Sequence, residues 1–189
     1  MKKLILTLAA IVLAVSAFAQ DPHLKFKGIP IDGNYASFAQ QLVKKGFRQI
    51  EYTEDGIMLI GNFMATPDVL VVVYPDPNSK VVSGVAAMIE AGDSWASIEG
   101  KYNNIVETYT EKYDAPSNQT EGFRGDIYND FSRLLAVMED RCDYMTSWEL
   151  KEGKINIVPM YNAGTYYIAC VYVDGQNSEA LRQTIIDDI

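Results

Sequence analysis

CDYMTSWELKEGKINIVPMYNAGTYYIACVYV, residues 142–173, is the stretch whose reading decides the fold. It contains three runs rich in β-branched and aromatic residues, separated by short turn-forming breaks. Residues 142–150 read as one strand. Glu152-Gly153 turns the chain into a second strand, 154–160, and a five-residue loop, 161–165, leads to a third, 166–173. Successive strands joined this tightly run antiparallel, so the stretch is a meander. The meander also separates the chain's two cysteines, Cys142 and Cys170. They fall two strands apart and well offset along the chain direction, on the order of 20 Å at the rise of an extended strand. A disulfide needs Cα atoms within about 7 Å. Two buried free thiols are expected.

Before the meander, residues 126–138 read as a helix burying Ile127, Phe131, Leu134, Leu135 and Met138. The polar stretch 117–125 is a surface loop. Further back, Asp93 or Ser94 starts a long helix to Tyr113, with Trp95, Ile98, Tyr102, Ile105, Tyr109 and Tyr113 recurring at three- and four-residue steps. Asn34 caps a helix over 35–45, which Gly46 stops. Four strands follow it, 47–53, 57–63, 69–74 and 80–88, with Asp55-Gly56 as a hairpin turn between the first two. That turn puts Ile50 and Tyr52 on the face of Ile57, Leu59 and Phe63. After the meander, Ser178 caps a last helix with Leu181 and Ile185 facing inward.

The order is αββββα-αβββα, an α+β fold in which helices cover one face of antiparallel sheet. Each half has a helix, a strand, an acidic-Gly turn and further strands. This suggests an internal duplication, although aligning the two turns shifts the apolar parity by one residue.

The first nineteen residues are expected to be a cleaved signal peptide. Lys2 and Lys3 precede an apolar run, and Ala17-Phe18-Ala19 gives a small-x-small cleavage site before Gln20. The run is too short to span a bilayer. Gln20 stands where a lipoprotein needs cysteine. Residues 20–189 then form a single domain located in the periplasm or outside the cell, with no stable membrane insertion. Loss of the leader removes two lysines and no acid, so 14 basic residues face 25 acidic ones and the net charge moves from −9 to −11. Such a surface repels phosphate backbones and excludes nucleic acid as the main partner.

Residues 24–47, LKFKGIPIDGNYASFAQQLVKKGF, resemble the opening of a group of exported Bacteroidetes proteins of unknown function. These begin their mature domain with F-x-G-I-P-I-D-G, an amphipathic helix and K-G-F. No chemistry attaches to that likeness. The succession of helices and antiparallel strands also resembles β-lactamase-inhibitor-protein-like and BamE-like modules, which implies binding to other proteins. Read physically, Pro30 and Asp32-Gly33 make a turn ahead of the first helix.

Catalytic constellations are missing from the sequence. Gly92-Asp93-Ser94 is similar to the nucleophile block of GDSL-type esterases, which require a late Asp-x-x-His. The chain's one histidine, His23, lies near the mature N-terminus. Asp93 and Ser94 suit a helix cap instead. One histidine and two separated cysteines do not make a usual zinc set, and no EF-hand spacing occurs. Asp76 with Asn78, and Asp174 with Asn177, are turn residues. Glu107 with Glu111 and Asp126 with Asp130 sit one helical turn apart, as solvated faces do.

No catalytic residue, metal or cofactor is assigned, and the expected function is a non-enzymatic interaction module for a protein or envelope component. Its candidate binding residues are Tyr161, Tyr166 and Tyr167 around the last hairpin, with Tyr74 beside the proline turn; tyrosine brings apolar area and a polar tip at small entropic cost. A carboxylate-based hydrolase or carbohydrate-active protein is the alternative, and a carrier of an apolar ligand a further one. Opposed acids in a cleft would favour the second, an enclosed cavity the third. Oligomeric state is not readable from the sequence.

Overall fold

A computed structural model describes residues 23–53 and 56–178. The residues read as a leader and cleavage site, with Asp55, Leu181 and Ile185, lie outside the described residues. The described part begins with two short strands, β1 (Lys25–Phe26) and β2 (Ile29–Pro30), then helix α1 (Tyr35–Lys44). Four strands follow: β3 (Arg48–Tyr52), β4 (Ile57–Phe63), β5 (Thr66–Pro75) and β6 (Val82–Glu90). Helix α2 (Trp95–Tyr113) leads through β7 (Asn118–Thr120) to helix α3 (Asp130–Met138). Strands β8 (Met145–Leu150), β9 (Gly153–Asn162) and β10 (Thr165–Asp174) complete it.

The architecture is α+β with antiparallel pairing throughout. β3 to β10 form one eight-stranded sheet in the order β3-β4-β5-β6-β10-β9-β8-β7. The two meanders therefore join at their last strands, with Ile89 of β6 paired to Ile168 of β10 and Ala87 to Cys170. The inner face carries Ile57, Leu59, Val71, Val73, Val85, Ala87, Ile155, Ile157 and Ile168, all buried in the main core. Helices α1, α2 and α3 all lie on this face. α1 brings Phe38 and Leu42 to it, and α2 brings Trp95, Ile98, Tyr102, Ile105 and Tyr109. Burying that many large side chains, at ~1.5–3 kcal/mol each, is what ties helices of modest propensity to the sheet.

Polar contacts fix the helix ends. Asn34 accepts from the backbone of Ala36 and Ser37, and Ser94 from that of Ser97. Tyr102 Oη meets Thr146 Oγ1 at 2.6 Å, and Tyr109 Oη meets Tyr172 Oη at 2.5 Å, both inside the core. Trp148 Nε1 donates to the carbonyl of Asp114 at 3.0 Å, holding the C-terminal end of α2 over β8.

Several details depart from the sequence reading. Helix α3 starts at Asp130 because Asn129 and Ser132 form a reciprocal capping box. Its buried residues are Ala136 and Val137, while Phe131 is 72% and Met138 45% exposed. The contact with the sheet is thus rotated off the expected stripe. A register shift between Gln49 and Glu51 leaves Ile50 exposed, although Tyr52 stays opposite Ile57. The connection read as a five-residue loop over 161–165 is a two-residue turn at Ala163-Gly164, both at positive φ, with Thr165 paired to Asn162. Residues 175–178 are already helical, so Ser178 is not the cap. Asp174 takes that place, accepting from the Asn177 backbone at 3.0 Å. Cys142 precedes β8, bridging to Phe123, and is half-buried where burial was expected. Both thiols are free. β7 forms where a loop was read, its polar residues pairing with Met145, Thr146 and Ser147 at the sheet edge.

Candidate docking surface

Alternation along a strand sends every second residue to the far side of the sheet, away from the helices. In this protein most of those positions on the central strands are also apolar. Met58 of β4, Leu70 and Val72 of β5, Met88 of β6, Ala169 of β10 and Val158 and Met160 of β9 form a second apolar cluster. Pairing aligns them in rows across the sheet. One row runs Ile60, Leu70, Met88, Ala169, Val158, and its neighbour runs Met58, Val72, Ala86, Val171, Asn156. Ala86 and Ala169 at the β6–β10 seam, beside Met88 in the same seam and Met58 and Met160 on outer strands, give the face relief. A groove of about 330 Å³ follows, lined by Met58, Leu70, Val72, Tyr74, Met88 and Met160. Glu51, Thr53, Gly56 and Asn162 complete its walls, so Glu51 is its one charged residue among those described. No described helix packs over this face.

The four tyrosines singled out in the sequence do not form one patch. Tyr161 and Tyr166 point to the helix side, with ring centroids 4.9 Å apart, and Tyr166 Oη donates to the Leu134 carbonyl at 3.3 Å. Burial, with a smaller contribution from neighbouring Tyr161, raises the Tyr166 pKa. These two side chains brace α3. Tyr167 and Tyr74 belong to the outer face, at opposite ends of it: Tyr167 pairs with Glu90 and Tyr74 with Gly84. Tyr74 is 43% exposed and lines the groove; partial burial of its ring raises its pKa.

The outer methionines and Leu70 were not singled out. Their signal was in the sequence, since strands with one wet face should alternate with polar residues and these do not.

The remaining candidates fall into structural roles. Ser94 is the N-cap of α2, so the Gly92-Asp93-Ser94 block is cap chemistry. Glu107 and Glu111 lie exposed on α2, and Asp126 and Asp130 are exposed at and before the start of α3. Asp76 accepts from Ser79 N at 2.6 Å, Ser79 Oγ at 2.8 Å and Asn78 N at 3.0 Å. The Ser79 backbone N–H is the main reason its pKa lies below the usual carboxylate value, opposed by desolvation and helped by the other two bonds and Lys80. It closes the turn between β5 and β6. Asp174, fully buried, accepts from Leu24 N at 2.8 Å and lies 3.1 Å from His23 Nδ1, while His23 Nε2 is 3.6 Å from Asp32. That constellation fastens His23 and Leu24, just ahead of β1, to the end of β10. Among the described residues no group of three His, Cys, Asp or Glu side chains could hold a metal ion, and no helix is long and apolar enough to cross a membrane.

No protein-family model, curated protein or solved structure matches the chain.

Proposed function

We propose that this chain is a non-enzymatic exported binding module, acting in the periplasm or outside the cell, and that it docks a partner protein on the outer face of its sheet. The observation that carries the reading is the groove flanked by Met58, Met88 and Met160. Methionine is unbranched and polarisable, so a methionine-lined surface adapts its shape to an apolar insert. Val72, Met88 and Ala169 are 8%, 5% and 2% exposed and lie at the floor of this face, so a partner enters over Tyr74 at its rim, 43% exposed. The partner is a protein segment with apolar side chains next to a basic residue. Glu51 at the groove and the net charge of −9 for the whole chain favour a cation there.

The hydrolase alternative has less support. Its carboxylate pairs lie exposed on α2 and at the start of α3, and the one carboxyl among the described residues with a displaced pKa, Asp76, is shifted down where a general acid needs an upward shift. Internal duplication is part of the same proposal. Each half is a helix followed by four strands, β3–β6 and β7–β10, and the halves meet antiparallel at their last strands. α3, inserted between β7 and β8, distinguishes the second half.

The test replaces Tyr74 with a photo-crosslinking aromatic residue and irradiates the protein in envelope extract. The expected result is a discrete protein adduct through an apolar, basic segment, lost when Leu70→Asp is added while the circular dichroism spectrum is unchanged. An adduct that survives Leu70→Asp, or no adduct at all, overturns the reading.

A further inference from the structure

On the helix side, a second and larger concavity of about 570 Å³ opens between the β1–β2 hairpin, the last turn of α2 and the β8–β9 turn. Its apolar lining is Leu24, Phe63, Tyr113, Leu150 and Tyr172. Phe63 and Tyr172 are 6% and 5% exposed, so they form its floor. Among the described residues its charged lining is mostly cationic, Lys25, Lys27 and Lys112 against one acid, Glu152; His23 also borders it. Asp174 and Asp32 face His23 from behind. In a chain with 25 acids and 16 bases, three lysines on one cavity is a local reversal of sign.

Two of these lysines make no ion pair among the described residues. Lys27 Nζ reaches only the Asn62 carbonyl, at 3.4 Å, and lies 6.0 Å from the Phe47 ring centroid. Lys112 Nζ lies 4.6 Å from the centroid of Tyr113. Lys27 also sits at the tip of the β1–β2 turn with φ of 53°, in the left-handed region that asparagine and glycine occupy at lower cost. A lysine held there is not explained by the turn. Lys112 is better explained, since a cation in the last turn offsets the helix dipole. Both amines border the same cavity, from elements far apart in sequence.

We infer that this cavity is a binding site for a small anionic amphiphile, an alkyl or aryl carboxylate whose apolar body lies on Phe63 and Tyr172 and whose charged head is held between Lys27 and Lys112. The volume falls within the range of small-molecule sites. Beyond about 8 Å, physiological salt screens the acidic remainder of the surface, so the nearby amines set the local potential. This goes beyond the protein-docking reading, which concerns the opposite face of the sheet.

The test is calorimetric titration of the purified full chain with decanoate, below its micelle concentration, and with decyltrimethylammonium, the same tail on a cationic head. The expected result is one decanoate per chain, no comparable binding of the cation, and at least about tenfold weaker decanoate binding in the Lys27→Glu/Lys112→Glu double variant. Both lysines are exposed, so that variant retains the fold. Leu70→Asp, which disables the outer groove, should leave decanoate affinity unchanged. Equal affinity in the double variant, loss of binding in Leu70→Asp, or no decanoate binding overturns the inference. Co-sedimentation with phosphatidylglycerol vesicles that the double variant loses, without binding of free decanoate, would assign the lysines to a membrane head group and overturn it as well.

Discussion

Replacing Asp174 with alanine removes the acceptor on which the segment just ahead of β1 closes. Its carboxylate is fully buried, takes the Leu24 backbone N–H at 2.8 Å and the Asn177 N–H at 3.0 Å, and lies 3.1 Å from His23 Nδ1. Hydrogen bonds to a charged group contribute ~1.5–3 kcal/mol each, and an orphaned buried donor adds to the loss. Only the Leu24 donor is buried, whereas the Asn177 N–H is part-buried and can turn to water. The sum is about 3–5 kcal/mol, the range found when one partner of a buried charged contact is removed. For a domain of this size that lowers Tm by about 10 °C. Asp174→Asn keeps one acceptor oxygen and should lose roughly half as much. His23→Ala, which leaves both backbone bonds in place, should lose about 1 kcal/mol or less. Urea denaturation with matched calorimetry measures all three. If Asp174→Ala unfolds within about 1 kcal/mol of the wild type, or His23→Ala is as costly as Asp174→Ala, the assignment of the energy to the backbone amides is wrong.

Other expectations follow from single positions. Burial pushes the Cys170 thiol up to about 12, so at pH 8 a thiol reagent should label Cys142, which is half-buried, and leave Cys170 unmodified until the protein unfolds; mass spectrometry that finds Cys170 labelled first would refute this. Gly153 has φ of 150°, and an added Cβ would lie 2.2 Å from the Val173 carbonyl oxygen, so Gly153→Ala should cost several kcal/mol, about 3 or more, in a thermal melt. Asp76 has a lowered pKa, so it stabilises the fold at pH values above the usual carboxylate pKa, and that contribution disappears as pH falls through its lower folded value. Asp76→Asn should therefore flatten the acid limb of the stability–pH curve below about pH 4, and an unchanged limb would show that Asp76 does not contribute to it.

Long periodic segments were legible in the sequence. The α2 stripe from Trp95 to Tyr109 is buried as its spacing required, and α1, β4, β5 and β6 stand within a few residues of their expected limits. What escaped were features settled by pairing partners. β7 has three polar residues and exists because β8 offers it an open edge. β1 and β2 are two residues each, and their order comes from packing Phe26 against Phe47, Phe63 and Tyr172. The face of α3 was misjudged because an apolar stripe can be read along a helix, whereas the rotation at which a nine-residue helix lands depends on its neighbours. For the candidate site, tyrosine content pointed to residues that the fold divides between two faces, Tyr74 and Tyr167 on the outer one and Tyr161 and Tyr166 on the helix side. The two members of the Tyr166–Tyr167 pair face opposite sides of the sheet.

The junction at β6 and β10 also governs when the molecule can form. β10 is the last of the described strands to be made, yet it occupies the middle of the sheet, and the Leu24–Asp174 bond joins residues 150 positions apart. Until β10 is in place, β6 and β9 are bare edges and neither meander has its central neighbour. Contacts of such long sequence separation slow folding, because loop closure precedes the gain from pairing. A chain stopped short of β10 would expose two complementary edges able to pair with other copies. The central pairing of the sheet therefore waits on synthesis through Asp174, so the β3–β6 meander is made well before the strand that covers its β6 edge.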